Sequence, residues 1–74
     1  MSYPEWPEGD YRRRVVDEKI ELDDKLLKLK QFFQSDVFRS LNQNEMQLLS
    51  QQCDAMQQYT NILAVRIAGF TRAD

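Results

Sequence analysis

Two interleaved seven-residue repeats in the second half of the chain most strongly limit the folds open to it. Each repeat places an apolar or small side chain at every seventh position, four times in succession. The first repeat contains Met46, Cys53, Thr60 and Ile67, and the second contains Leu49, Met56, Leu63 and Phe70. This spacing predicts one face of a long helix that packs against another helix.

The partner helix is predicted in the first half of the chain, starting at Tyr11 with Asp10 as its N-cap. Its apolar face follows steps of three, four and seven, and a second apolar line runs beside it. The face contains Val15, Leu22, Leu26, Leu29 and Phe33, and the second line contains Val16, Ile20 and Leu27. Charged pairs four residues apart, Glu21–Lys25 and Asp24–Lys28, add ~0.2–0.5 kcal/mol each.

The connection between the helices contains two predicted caps. Ser35 or Asp36 is expected to end the first helix and cap a short turn, and Asn42 is expected to begin the second helix. The second helix is predicted to end near Ala68, with Gly69 as its stop. The expected fold is therefore all-α: an antiparallel two-helix hairpin with a short N-terminal segment, assembled into a compact homo-oligomer. We divide it into a capping segment, residues 1–10, in which Tyr3 and Trp6 could pack on the body, and a hairpin domain, residues 11–74.

The homo-oligomer is predicted from the size of the chain. A core built from 74 residues rarely stabilises a fold by more than ~3–5 kcal/mol. Cys53 is the only cysteine and there is no histidine, so neither a disulfide within the chain nor a metal site of recognisable spacing is predicted. Between Gln47 and Phe70 only Asp54 and Arg66 are charged. We therefore expect a second apolar line on this helix to face another copy; it contains Leu48, Ala55, Tyr59 and Ile62.

Composition argues against several functional classes. Without histidine the chain has no Ser-His or Cys-His pair, and Gly9 and Gly69 are too isolated to form a phosphate loop, so we predict that it is not an enzyme and uses no cofactor. The carboxylates of the first helix are interpreted as a solvated face; they are Asp17, Glu18, Glu21, Asp23 and Asp24. A net charge of −2 disfavours long nucleic acids, and no apolar run is long enough to span a membrane.

Three basic groups could still bind a small anion. Tyr11 stands beside Arg12, Arg13 and Arg14 at a helix N-terminus, where cations are unfavourable. Lys25 and Lys28 lie one turn apart, and Arg66, Thr71 and Arg72 lie at the end of the second helix. From the residues alone we favour an ordinary polar turn, salt-bridging surface lysines and dipole-compensating cations as the explanation of these groups. The two functions to be distinguished are ligand binding and a structural or adaptor hairpin that binds only protein.

At residues 11–70 the chain resembles the helical hairpin shared by two families of phage proteins, the anti-CBASS cyclic-oligonucleotide sponges and the anti-Thoeris sponges. The residues that carry the resemblance are Arg14, Val15, Glu18, Glu21, Leu22, Lys25, Leu29, Phe33, Ser35, Phe38, Leu41, Leu48, Leu49, Gln52, Met56, Tyr59, Leu63, Arg66 and Ile67. Because the chain has little beyond the hairpin, it is more similar to the anti-CBASS branch.

The resemblance implies a homohexamer in the cytoplasm of the infected bacterium that captures cyclic nucleotide messengers without cleaving them, so that the CBASS effector is not activated. It implies cyclic dinucleotides such as cGAMP in pockets between protomers and cyclic trinucleotides such as cyclic tri-AMP on three-fold axes. Matched by position, the dinucleotide residues are Tyr11 and Lys25, with Arg14 and Lys28 as alternates. The trinucleotide residues are Arg66 and Thr71.

Overall fold

The computed structural model describes residues 5–71, which contain three helices. Helix α1 spans Tyr11–Phe32, α2 spans Asp36–Arg39 and α3 spans Gln43–Phe70. The all-α prediction is confirmed for this part of the chain, and the four-residue α2 occupies the predicted turn. The two long helices pack against each other.

Each helix begins at a polar N-cap, as the sequence predicted. Asp10 accepts a hydrogen bond from the backbone N–H of Arg12 at 2.9 Å, and Asn42 accepts one from Glu45 at 2.8 Å. Of the two candidates in the connection, Ser35 is the cap of α2, and it accepts from the N–H of Phe38 at 3.2 Å. The caps satisfy backbone donors that a helix start leaves free.

The predicted end of the second helix is wrong. Helix α3 continues through Gly69 to Phe70, and Thr71 is its C-cap. Gly69 does not have the positive φ of a glycine stop, whereas Gly9 does, at 89°. The longer helix places the Phe70 ring against Trp6 and Tyr11, so tertiary packing outweighs the weak local preference of one glycine.

The core lies between α1 and α3. Val15, Val16, Leu63 and Ile67 form a buried cluster, and Leu63 is completely inaccessible. All eight members of the two heptad lines in α3 are buried or half-buried, which confirms the predicted seam. The second line on α1 is only partly correct, because Val16 belongs to the core whereas Ile20 and Leu27 are exposed.

Early residues of α1 contact late residues of α3, and late residues of α1 contact earlier residues of α3. The ring of Tyr11, at the start of α1, contacts Phe70 at the end of α3, with ring centroids 5.4 Å apart. Farther along, the Lys30 amine donates to the side-chain oxygen of Gln57 at 3.1 Å. The two helices are therefore antiparallel, and the N-terminus of α1 lies beside the C-terminus of α3.

The segment before α1 folds onto this shared end. The N–H of Asp10 donates to the carbonyl of Pro7 at 3.1 Å, closing a turn that includes Gly9. Trp6 packs against the core cluster and contacts Phe70 edge to face at 6.0 Å. The predicted packing of Tyr3, like the predicted role of Arg72, lies outside the described residues.

Candidate functional site

The arginines at the start of α1 are not equivalent. The guanidinium of Arg12 forms an ion pair with Asp10 at 2.7 Å and lies over the Trp6 ring, 5.2 Å from its centroid. Arg13 donates to the carbonyl of Trp6 at 3.4 Å. Arg12 and Arg13 therefore hold the N-terminal segment, and only Arg14, which is exposed, has no side-chain partner among the residues described.

The ion pair with Arg12 changes the acidity of Asp10. Hydrogen bonds from the side chain and backbone of Arg12 lower the pKa of Asp10 from its ordinary value of 3.8 to about 2. The carboxylate thus stays charged down to acidic pH and continues to cap α1 and to pair with Arg12. These contacts explain why a helix N-terminus tolerates several cations.

Tyr11 combines exposure with a fixed orientation. Its side chain is 62% exposed, yet its ring meets Phe70 at an interplanar angle of 85°. In a T-shaped pair one ring presents an edge, so at least one face of Tyr11 stays free of Phe70. The open aromatic face can stack a base, and one turn away the guanidinium of Arg14, which has no partner within residues 5–71, can pair with a phosphate.

Arg14, Lys25 and Lys28 lie along one exposed strip of α1. Arg14 and Lys25 are eleven positions apart, which places them on the same face but about 16.5 Å apart along the axis. Lys28 pairs with Asp24 at 2.9 Å, as predicted, whereas the predicted Glu21–Lys25 pair is not among the ion pairs of residues 5–71. One chain therefore does not bring the two basic ends of the strip together.

The side chains of Arg66 and Thr71 likewise do not converge on one site within a single chain. Both are exposed, and five positions along a helix correspond to a rotation of about 140°. The Thr71 hydroxyl already donates to the carbonyl of Ala68 at 3.0 Å, as part of the C-cap. If both residues bind one ligand, the geometry requires contributions from more than one copy.

A contact between Tyr59 and Glu18 was not predicted from the sequence. The phenol of Tyr59 donates to the Glu18 carboxylate across the two helices, so Glu18 is not simply a solvated charge. This hydrogen bond, helped by partial desolvation and the charge of Glu18, raises the pKa of Tyr59, and the nearby charge of Arg66 opposes the rise. The contact joins the exposed side chains of Tyr59 and Glu18 across the two helices.

Asp23 is the second carboxylate whose interpretation needs correction. It accepts from the buried hydroxyl of Thr60 and forms an ion pair with Lys19 at 2.6 Å. Burial pushes the pKa of Asp23 upward, but the hydrogen bonds from Lys19 and Thr60 outweigh it and lower the pKa overall. A hydroxyl at an apolar heptad position was the available signal, because a buried hydroxyl needs a hydrogen-bonding partner.

The outer side of α3 carries an apolar surface, the open α3 face, which consists of Leu48, Ala55, Tyr59, Ile62 and Val65. Ile62 is 58% exposed and Val65 is 73% exposed. Arg66 lies at one end of this face. In residues 5–71 no helix is long and apolar enough to cross a bilayer.

Comparison with known proteins identifies the family of the chain. A family model described as Sequestin matches residues 9–69, which include α1, α2 and nearly all of α3, and the chain therefore belongs to the Sequestin family. The family name indicates a protein that binds and sequesters a ligand. Searches of curated proteins and of solved structures found no match.

Proposed function

We propose that this member of the Sequestin family is a phage sponge that sequesters cyclic di- and trinucleotide messengers without cleaving them and so blocks CBASS effectors. One observation carries the proposal: the exposed, oriented ring of Tyr11 lies one turn from Arg14, whose side chain has no partner in the described residues. A stacked base adds ~1–3 kcal/mol, and an arginine recognises phosphate oxygens with two parallel hydrogen bonds. Membership of a sequestering family supports binding rather than turnover.

The dinucleotide site is proposed to lie between two chains of the hairpin. Because Arg14 and Lys25 are about 16.5 Å apart along α1, a compact ring would take Tyr11 and Arg14 from one chain and Lys25 and Lys28 from another. A two-fold axis offers both halves of a cyclic dinucleotide the same groups. The symmetry of the protein would then match the symmetry of the ligand.

The trinucleotide site is proposed to lie on a three-fold axis of a homohexamer. Three copies of Arg66, with Thr71 beside them, would each meet one phosphate of a cyclic trinucleotide. In the described part of the chain Arg66 pairs with no carboxylate, so three copies near an axis would repel one another until an anion binds. The open α3 face, which ends at Arg66, is the proposed contact between copies.

The place of action is proposed to be the cytoplasm of the infected bacterium, where the cyclic messengers act. The proposed partners are these small rings and further copies of the chain, with neither long nucleic acid nor membrane. The acidic net charge of −2 agrees with this restriction, since long nucleic acids bind extended basic surfaces.

A structural or adaptor protein is the second candidate, and the open α3 face favours it. Exposed apolar side chains such as Ile62 and Val65 suit a protein partner as well as they suit a second copy. An adaptor would gain no stability from cyclic nucleotides. Ligand at 100 times its dissociation constant stabilises a sponge by ~2.7 kcal/mol, which a thermal shift assay detects easily.

The decisive experiment is native mass spectrometry of the full chain with a panel of cyclic di- and trinucleotides, because it reports copy number and bound ligand together. We expect a hexamer that retains both ligand classes. Arg66→Ala should lose cyclic trinucleotides and keep dinucleotides, and Tyr11→Ala should do the reverse. A folded chain that retains no cyclic nucleotide would refute the sponge, and equal loss of both classes in either variant would refute two separate sites.

A further inference from the structure

We propose that Phe70 is a positioning residue that sets the orientation of the Tyr11 ring and so determines the affinity for cyclic dinucleotides; this rests on the proposed function. The two rings meet at 85° with centroids 5.4 Å apart. Phe70 itself is half-buried, whereas Tyr11 is 62% exposed. The better-packed ring of Phe70 therefore restricts the orientation of the more exposed ring of Tyr11.

The ring of Phe70 also contacts Trp6. Their centroids are 6.0 Å apart, and their planes meet at 87°. Trp6 packs on the core cluster and carries the guanidinium of Arg12, which is tied to Asp10 by an ion pair. These contacts connect Asp10, the N-cap of α1, through Trp6 and Phe70 to Tyr11, which is the next residue in the sequence.

The unexpected length of α3 is consistent with this role. If α3 stopped before Gly69, as the sequence suggested, Phe70 would lie beyond the helix and its direction would not be fixed by helical geometry. Because α3 continues to Phe70, the ring position is fixed relative to Leu63 and Ile67, which are buried against α1. The packing of α3 against α1 thus also limits the orientation of the exposed Tyr11 ring.

An aromatic ring that stacks a base performs better when its orientation is fixed before binding, since less side-chain entropy is lost on association. Without the Phe70 ring, Tyr11 would keep its chemistry but gain rotamer freedom at the helix N-terminus. The effect should appear as weaker dinucleotide binding and not as loss of the fold.

The test compares Phe70→Leu with Phe70→Tyr, which keeps the ring, by isothermal titration calorimetry with a cyclic dinucleotide that the wild-type chain binds. Met56→Ala, a change at a half-buried seam position of α3 far from Tyr11, is the matched control for lost stability. Melting temperatures of all variants are measured in parallel. We expect Phe70→Leu to bind about tenfold more weakly, a difference of about 1.4 kcal/mol, with Phe70→Tyr and Met56→Ala close to wild type.

The outcomes separate this inference from the proposed function. If Tyr11→Ala loses binding while Phe70→Leu binds like wild type, the positioning role is overturned and the sponge function stands. If Phe70→Leu and Met56→Ala lose affinity equally, the effect is one of stability, which also overturns the positioning role. If Tyr11→Ala binds dinucleotides as tightly as wild type, the proposed dinucleotide site itself fails.

Discussion

The neighbouring residues Ile62 and Leu63 offer a direct test of whether another chain covers the open α3 face. Ile62 is 58% exposed and Leu63 is completely buried, although they are adjacent in α3. Truncating each to alanine removes apolar surface without lowering helix propensity. In an isolated chain the two substitutions should therefore have very different costs.

The expected magnitudes follow from the exposed fractions. Leu63→Ala removes a fully buried side chain and should cost about 2–5 kcal/mol of unfolding free energy. Full burial of an isoleucine is worth about 1.5–3 kcal/mol, so the covered part of Ile62 represents about 1 kcal/mol in the single chain. If a second copy covers the rest, Ile62→Ala should cost at least about 2 kcal/mol and approach the cost of Leu63→Ala.

Urea unfolding monitored by circular dichroism measures both costs. It should be run at two protein concentrations about a hundredfold apart, because the stability of an oligomer depends on concentration. We expect the midpoint of the wild-type chain to rise with concentration and Ile62→Ala to remove most of that rise. A cost of about 1 kcal/mol for Ile62→Ala, the same at both concentrations, would show that nothing covers the open α3 face.

Three further substitutions test individual contacts. Since the pKa of Asp10 is depressed to about 2, its contribution to stability is present above about pH 4 and disappears as pH falls toward 2. The melting temperatures of Asp10→Asn and wild type should therefore converge as pH falls from about 4 to 2. A difference in melting temperature that stays constant over this range would contradict the role of Arg12. Thr60→Val should cost about 1 kcal/mol in urea unfolding by removing a hydrogen bond to the half-exposed Asp23, and a neutral result would contradict that bond. Gly69→Ala should raise stability by about 0.5–1 kcal/mol, because within residues 5–71 an added Cβ meets no atom within 4 Å beyond its own helix backbone and chain neighbours. A loss of stability would show that Gly69 is not helical.

The helix starts and the seam were predictable because their causes are local or periodic. Asp10 and Asn42 each accept a hydrogen bond from a backbone N–H two or three residues ahead, so a short stretch of sequence determines the cap. The burial of Leu63 and Ile67 follows from their spacing alone. Neither inference needs knowledge of what the other helix contains.

The contacts that the sequence did not reveal join residues far apart in the chain. The hydrogen bond from Tyr59 to Glu18 and the one from Thr60 to Asp23 depend on the register of α3 against α1, which no local pattern specifies. The end of α3 was missed for the same reason, because the ring of Phe70 is held by residues at the start of the chain. The basic groups were visible in the sequence, but their assignment to particular ligands came from a resemblance, because within one chain these residues lie too far apart to indicate a shared site.

On the proposed function, assembly and ligand binding stabilise each other. A ring that bridges Tyr11 of one chain and Lys25 of another can bind only where the two chains meet, so each bound ligand adds RT ln(1 + [L]/Kd) to the stability of the oligomer. Thermodynamic linkage makes the effect reciprocal, so dilution that dissociates the chains must also weaken ligand binding. The contact between chains thus supplies two things to a chain of 74 residues with a small core: the stability that the core alone does not provide, and the binding site. Titration of a cyclic dinucleotide at falling protein concentration measures this coupling: an affinity that is unchanged below the dissociation point of the oligomer would place the whole site within one chain.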